Sequence, residues 1–79
     1  MKIAIKDIHN ITLRMAVLLR RLVAAHEDEL ILFATPAVAE KLKSLLQKNT
    51  SITEIYASDK TIYIAKGLKI QIEEIDGFE

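Results

Sequence analysis

The chain has 79 residues, 51% of them hydrophobic, with two glycines, one proline and no cysteine, and its eleven basic side chains balance eleven acidic ones. That length allows a single small domain near the lower limit at which a core outweighs chain entropy, and the apolar content excludes a disordered chain. Missing thiols exclude disulfides, thiol nucleophiles and cysteine-based metal centres and suit a reducing compartment, while electroneutrality argues against indiscriminate nucleic-acid binding.

The neutral total conceals a gradient: residues 1–25 carry a balance of +4, residues 26–51 of −1 and residues 52–79 of −3. A basic first third permits local attraction to an anion. Lys2, Lys6 and Asp7 interrupt the apolar run a secretory leader would need, and the most apolar segment, residues 11–25, holds three arginines and is too short to span a bilayer. A cytoplasmic protein with no membrane partner is expected.

In chain order, Ile3 and Ile5 alternate with Lys2, Ala4 and Lys6, the two-residue period of a half-buried strand. From Ile11 the period becomes helical, and Ile11, Met15, Leu18, Leu19, Leu22 and His26 fall on one stripe. Asn10 stands at the N-cap position, and "HEDE" at 26–29 is expected to close this helix, with acids at the end its dipole disfavours. Residues 30–34, "LILFA", are apolar without alternation and suit an interior strand covered on both faces.

"TPAVAEKLKSLLQKN" reads as the clearest helix, with Thr35 to cap it, Pro36 at its first position and Asn49 to end it in a left-handed conformation. Three extended segments follow, residues 52–57, 61–65 and 68–75, separated by turns at "SDK" and "KG". Residues 75–79 read as a tail, with Phe78 able to fold back onto apolar surface. The order predicts one two-layer α/β sandwich, β-α-β-α-β-β(-β), with two helices on a mixed sheet. Its first three strands are expected to be neighbours in a parallel core extended by an antiparallel hairpin.

Little in the chain resembles catalytic machinery. His9 and His26 are the only histidines and neither has acidic partners at a metal-ligand spacing; "HEDE" reads as a solvated cap. The glycines stand alone, so no phosphate loop is present, and no serine has a base nearby in sequence. Neither an enzyme, a cofactor nor a metal is expected. Two features point to binding. Eleven of the fifteen residues from Ile11 to Ala25 are apolar, more than one face against a sheet requires, so Leu13, Val17 and Ala24 are candidates for a protein interface. At the strand-to-helix turn, Lys6, His9 and Arg14 gather around Asn10, where helix amide groups also favour an anion such as a backbone phosphate. The plainer alternative assigns Asn10 to capping, Asp7 to the turn, and Lys6 and Arg14 to solubility.

On this element order, with "IAIKDIHNITLRMAVLLRRL" as basic turn and apolar helix, "DELILFATPAVAEKLKSLLQKN" as second strand and helix, "SITEIYASDKTI" as an isoleucine-rich third strand and "LKIQIEEI" as closing strand, the chain resembles the Alba family of archaeal chromatin and RNA-binding proteins. The C-terminal domain of bacterial translation initiation factor three and small sulfur carriers share a similar order, but the carriers need a cysteine this chain lacks. The resemblance implies a homodimer that binds DNA or RNA backbones, with Lys6 and His9 at the first turn and Lys60 or Lys66 at the hairpin tips. Three departures stand out: the family's paired lysines appear as Lys6 followed by Asp7, Thr35-Pro36 replaces the Gly-Arg that opens its second helix, and the hairpin is much shorter and less basic. Fewer phosphate contacts imply weak, salt-sensitive binding. The competing expectation is an assembly module, or a sequence built for the fold alone, using the apolar excess of the first helix.

Overall fold

A computed structural model describes residues 1–78 of the chain. Its elements are β1 (Lys2–Ala4), α1 (Ile11–Ala24), β2 (Glu29–Ala34), α2 (Pro36–Lys48), β3 (Thr53–Ala57), β4 (Lys60–Ala65) and β5 (Leu68–Glu74). The five strands form one mixed sheet in the order β1-β2-β5-β4-β3. Both helices pack on the same side of it, giving the two-layer α/β sandwich expected from the sequence.

The strand order departs from expectation in one respect. β2 pairs in parallel with β1 and with β5, whereas β3 lies at the far edge, antiparallel to β4. The place beside β2 demands apolar side chains toward the helices. β5 supplies Leu68 and Ile70, both fully buried, while β3 offers Glu54 and Tyr56 on that face.

β2 was expected to be covered on both faces, yet its burial alternates. Leu30, Leu32 and Ala34 are inaccessible beneath the helices, and Ile31 and Phe33 stay partly exposed on the opposite face because no second layer covers it. The helix-side core joins these residues to Ile11, Met15 and Leu22 of α1, Ala39, Leu42 and Leu46 of α2, and Tyr63 of β4. No charged or polar side chain is buried among the described residues.

Chain reversals use left-handed residues where the sequence offered no glycine. α1 stops at Ala24, before the acidic cluster: His26 sits at φ 59°, its N–H bonds the Val23 carbonyl, and the Glu27 N–H reaches back to Leu22 at 3.0 Å. These are the paired bonds of a Schellman motif, which satisfies carbonyls the helix end leaves open. The "HEDE" acids thus lie beyond the helix, and His26 leaves the apolar stripe for solvent.

Asn49 does the reverse. It is extended rather than left-handed, and its side-chain oxygen accepts the Ser51 N–H at 2.9 Å, an Asx turn that redirects the chain into β3. Pro36 occupies the start of α2, but the Thr35 side chain makes no capping bond; its carbonyl accepts the Ala39 N–H instead. The β4–β5 turn at Lys66-Gly67 has positive φ at both positions, the tight hairpin read from "KG". At the C-terminus, the Ile75 N–H still bonds Ala34, and the Phe78 ring lies 5.8 Å from the Lys6 ammonium, so the segment read as a tail folds back as far as residue 78.

Candidate nucleic-acid interface

β1 is only three residues long, though the Ile5 N–H continues its ladder to Phe33 and Ile5 is buried. The chain then turns sharply into α1. Asn10 occupies the N-cap position in the left-handed region at φ 51° and makes no capping bond, which corrects the role expected for it. A capping side chain normally sits on an extended backbone that aims it at the second and third helical amides. From a left-handed backbone the Asn10 amide instead donates toward His9 Nε2 at 3.3 Å.

The turn is held by Arg14. Its Nη1 donates to the Asp7 carboxylate at 3.1 Å, the His9 carbonyl at 3.1 Å and the Asp7 carbonyl at 3.4 Å, while the His9 N–H donates to Asp7 Oδ1. The turn therefore gathers Asp7, His9, Asn10 and Arg14, while the Lys6 ammonium lies over the Phe78 ring, and the Arg14 guanidinium is committed to a carboxylate and two carbonyls. Its geometry is that of a clamp on the turn.

The hairpin lysines do not join this cluster as a unit. The parallel strands β1, β2 and β5 end at one rim of the sheet, and Lys6 stands there; β4 runs the other way, so Lys60 begins at the same rim. β1 and β4 are three strand spacings apart, roughly 14 Å, and Lys60 shares a shallow depression with Asp59, Glu73 and Lys43. Lys66, in the turn that starts β5, sits at the opposite rim, roughly 20 Å away along the strands. The expected convergence of Lys6, Arg14, Lys60 and Lys66 is not the arrangement of this fold.

A different group of cations does share one layer. α1 carries Arg14, Arg20 and Arg21 and no acid; α2 carries Lys41, Lys43 and Lys48 and only Glu40. The helical layer thus holds a net +5, and because the chain is neutral, everything outside the helices holds −5. Arg14 pairs with Asp7 and Lys43 with Glu74 at 3.6 Å; Arg20, Arg21, Lys41 and Lys48 have no ion pair among the described residues. A charge balance along the chain hides these four, because acids in the loops and strands offset them; a balance by helix brings them out.

Two open grooves mark this layer. One, of 410 Å³, has an apolar floor including Leu19, Val23 and Ile52, with Arg20 and Lys66 in its lining. The other, of 310 Å³, lies between Ile8, Ile11 and Thr12 on the α1 side and Lys41, Leu45 and Lys48 on α2. Neither lining contains an acid. The expected interface residues Leu13 and Val17 lie on the outer surface of α1, 65% and 39% exposed, and Ala24 is exposed at its end.

At the β3 side, the Tyr56 hydroxyl donates to Glu54 at 2.6 Å and Gln47 of α2 donates to the same carboxylate at 3.1 Å. Those bonds, Tyr56 first, hold the Glu54 carboxyl below its ordinary range, with burial opposing them. The same bond raises Tyr56, and burial, followed by the nearby Glu54 charge, raises Tyr63. The described residues contain no group of three or more His, Cys, Asp or Glu disposed to hold a metal, and no helix among them is long and apolar enough to cross a membrane. No family model matches the chain, and no curated protein or solved structure matches it.

Proposed function

We propose that this is a non-catalytic cytoplasmic protein that binds nucleic acid through phosphate contacts, acting as a homodimer. The observation that carries the reading is the net +5 of the helical layer, with Arg20, Arg21, Lys41 and Lys48 left unpaired among the described residues. Cations spread over the helical layer match the repeating charge of a backbone and carry no base-reading geometry. The Alba-like element order supports the same reading. Relative to the sequence-level expectation the contact surface moves from the first turn to the helices, with Lys6 as a peripheral contributor and Arg14 as a structural one.

A salt titration of duplex DNA and of duplex RNA tests this. Each lost phosphate contact reduces the slope of log affinity against log salt by about 0.9 for B-DNA. Replacing Arg20, Arg21, Lys41 and Lys48 with Ala should therefore flatten the DNA slope by several units, and Lys6→Ala by one at most. Binding that ignores salt, or that survives the quadruple substitution, would sink the proposal.

The exposed Leu13 and Val17 favour a second reading, a protein-interaction module docking through α1. An acid-free helix with three arginines suits an acidic partner and disfavours a like helix from a second copy. In that case Leu13→Glu abolishes partner binding and leaves nucleic-acid affinity at background.

A further inference from the structure

The two edges of the sheet are built differently. β1 is three residues long, begins at Lys2 and is followed by Lys6, the short and charged form by which soluble proteins keep an edge from pairing. β3 is five residues long, contains neither lysine nor proline, and exposes Ile55 at 42% and Tyr56 at 74%, the most exposed large apolar side chain among those described.

Its pairing with β4 fixes which backbone groups face outward. Ala57 and Lys60 close a two-residue hairpin, and such a closing pair exchanges both of its hydrogen bonds. Alternation then points the amides and carbonyls of Ala57, Ile55 and Thr53 at β4, and those of Glu54 and Tyr56 away from it. The β4–β5 hairpin, closed by Ala65 and Leu68, gives the same answer independently: it turns the backbone groups of Ala65 and Tyr63 toward β5 and leaves Ile64, Ile62 and Lys60 to serve β3. Glu54 and Tyr56 therefore present two donors and two acceptors along the free edge.

We infer that the free edge of β3 pairs antiparallel with β3 of a second copy about a two-fold axis at Ile55, joining two sheets into one of ten strands. In that register Glu54 stands opposite the partner's Tyr56 and Tyr56 opposite the partner's Glu54, so the outward groups meet as two doubly bonded pairs. No like charges oppose each other: β3's one charge, Glu54, faces a tyrosine, and Asp59 falls opposite Ser51. Centring the pairing on Glu54 would set carboxylate against carboxylate, and centring it on Tyr56 would leave Glu54 facing Ser58. The Tyr56 hydroxyl already donates to Glu54 within one copy, so the partner's tyrosine finds a carboxylate held in place by Tyr56 and Gln47. A two-fold axis perpendicular to the sheet keeps both helical layers on one side, so two +5 surfaces become adjacent. The inference specifies the surface behind the dimeric part of the function proposed above and does not depend on the nucleic-acid part.

The test is mass against concentration by sedimentation equilibrium, without nucleic acid, for the full chain. Tyr56→Pro removes one outward donor per copy and no bond to β4, and a proline on the solvent side of an edge strand is tolerated. It should raise the dimer dissociation constant at least about tenfold. Tyr56→Glu, which keeps the backbone intact and sets a second carboxylate directly opposite the partner's Glu54 on each side of the axis, should do the same, and Leu13→Glu on α1 should change nothing. Amide exchange should slow at Glu54 and Tyr56 as concentration rises. A wild type that stays monomeric at millimolar concentration overturns the inference, as does a Tyr56→Glu chain that stays folded and dimerises undiminished. Either result leaves the phosphate-binding proposal to its own salt titration.

Discussion

Arg14 separates two accounts of the first turn, and Arg14→Ala is the substitution that tests them. Its guanidinium makes one bond to the Asp7 carboxylate and two to backbone carbonyls of Asp7 and His9, all from Nη1. The ion pair is 44% and 66% exposed at its two side chains, so solvent screens it to at most about 1 kcal/mol, and typically to less. The carbonyl bonds share one nitrogen and are half open to water, and together contribute on the order of 0.5 kcal/mol. Arg14→Ala should then cost about 1 kcal/mol and, for a domain of this size, lower Tm by roughly 4–8 °C. Arg14→Lys keeps the charge but loses the planar geometry that reaches three acceptors, and should recover less than half of the loss. Thermal unfolding followed by circular dichroism reads both, alongside DNA affinity at fixed salt. The clamp assignment is refuted if Arg14→Ala leaves Tm unchanged while DNA affinity falls as steeply as in an Arg20→Ala chain.

Leu32, fully buried at the centre of the sheet, should cost about 3 kcal/mol when cut to Ala, enough to leave so small a domain close to unfolding in a urea titration. His26→Gly should stabilise the chain by about 0.5–1 kcal/mol, because it relieves a left-handed backbone in an exposed Schellman motif without removing a buried contact; a destabilised variant would mean the His26 side chain makes an interaction of its own. Glu54 has a folded pKa below its unfolded value, so the stability it contributes is present above that unfolded value, near 4.5, and is lost as pH falls through the folded one. Glu54→Gln should therefore flatten the acid limb of the stability profile below about pH 4.5 and leave its slope near neutrality unchanged, as measured by urea midpoints at dilute protein. Tyr56 and Tyr63 are raised, so stability present below their ordinary value of 10.0 should decline as pH climbs above it, more gently in Tyr56→Phe.

The elements were legible because each rests on a local rule. Ile3 and Ile5 alternate, Met15 and Leu22 recur at helical spacing, Pro36 opens a helix and Lys66-Gly67 closes a hairpin, and all of these emerged as read. Caps and stops were less legible. Asn10, His26, Ser58 and Lys66 are left-handed without being glycine, and Asn49, the residue expected to be left-handed, is extended. A single residue's φ follows from where the chain must go next, which its own side chain specifies only weakly.

Composition and period alone determined that the chain forms two helices on a sheet, because burying apolar stripes of those two periods leaves few other solutions. Only the tertiary structure decided that β5, rather than β3, sits beside β2, since that choice turns on which strand can bury a whole face once all five compete for the centre. The same packing set Lys66 at the opposite rim from Lys6 and brought Arg20 and Arg21 into one layer with Lys41 and Lys48. Distances between charges on different elements depend on strand order and crossover, and no local pattern in the chain encodes either.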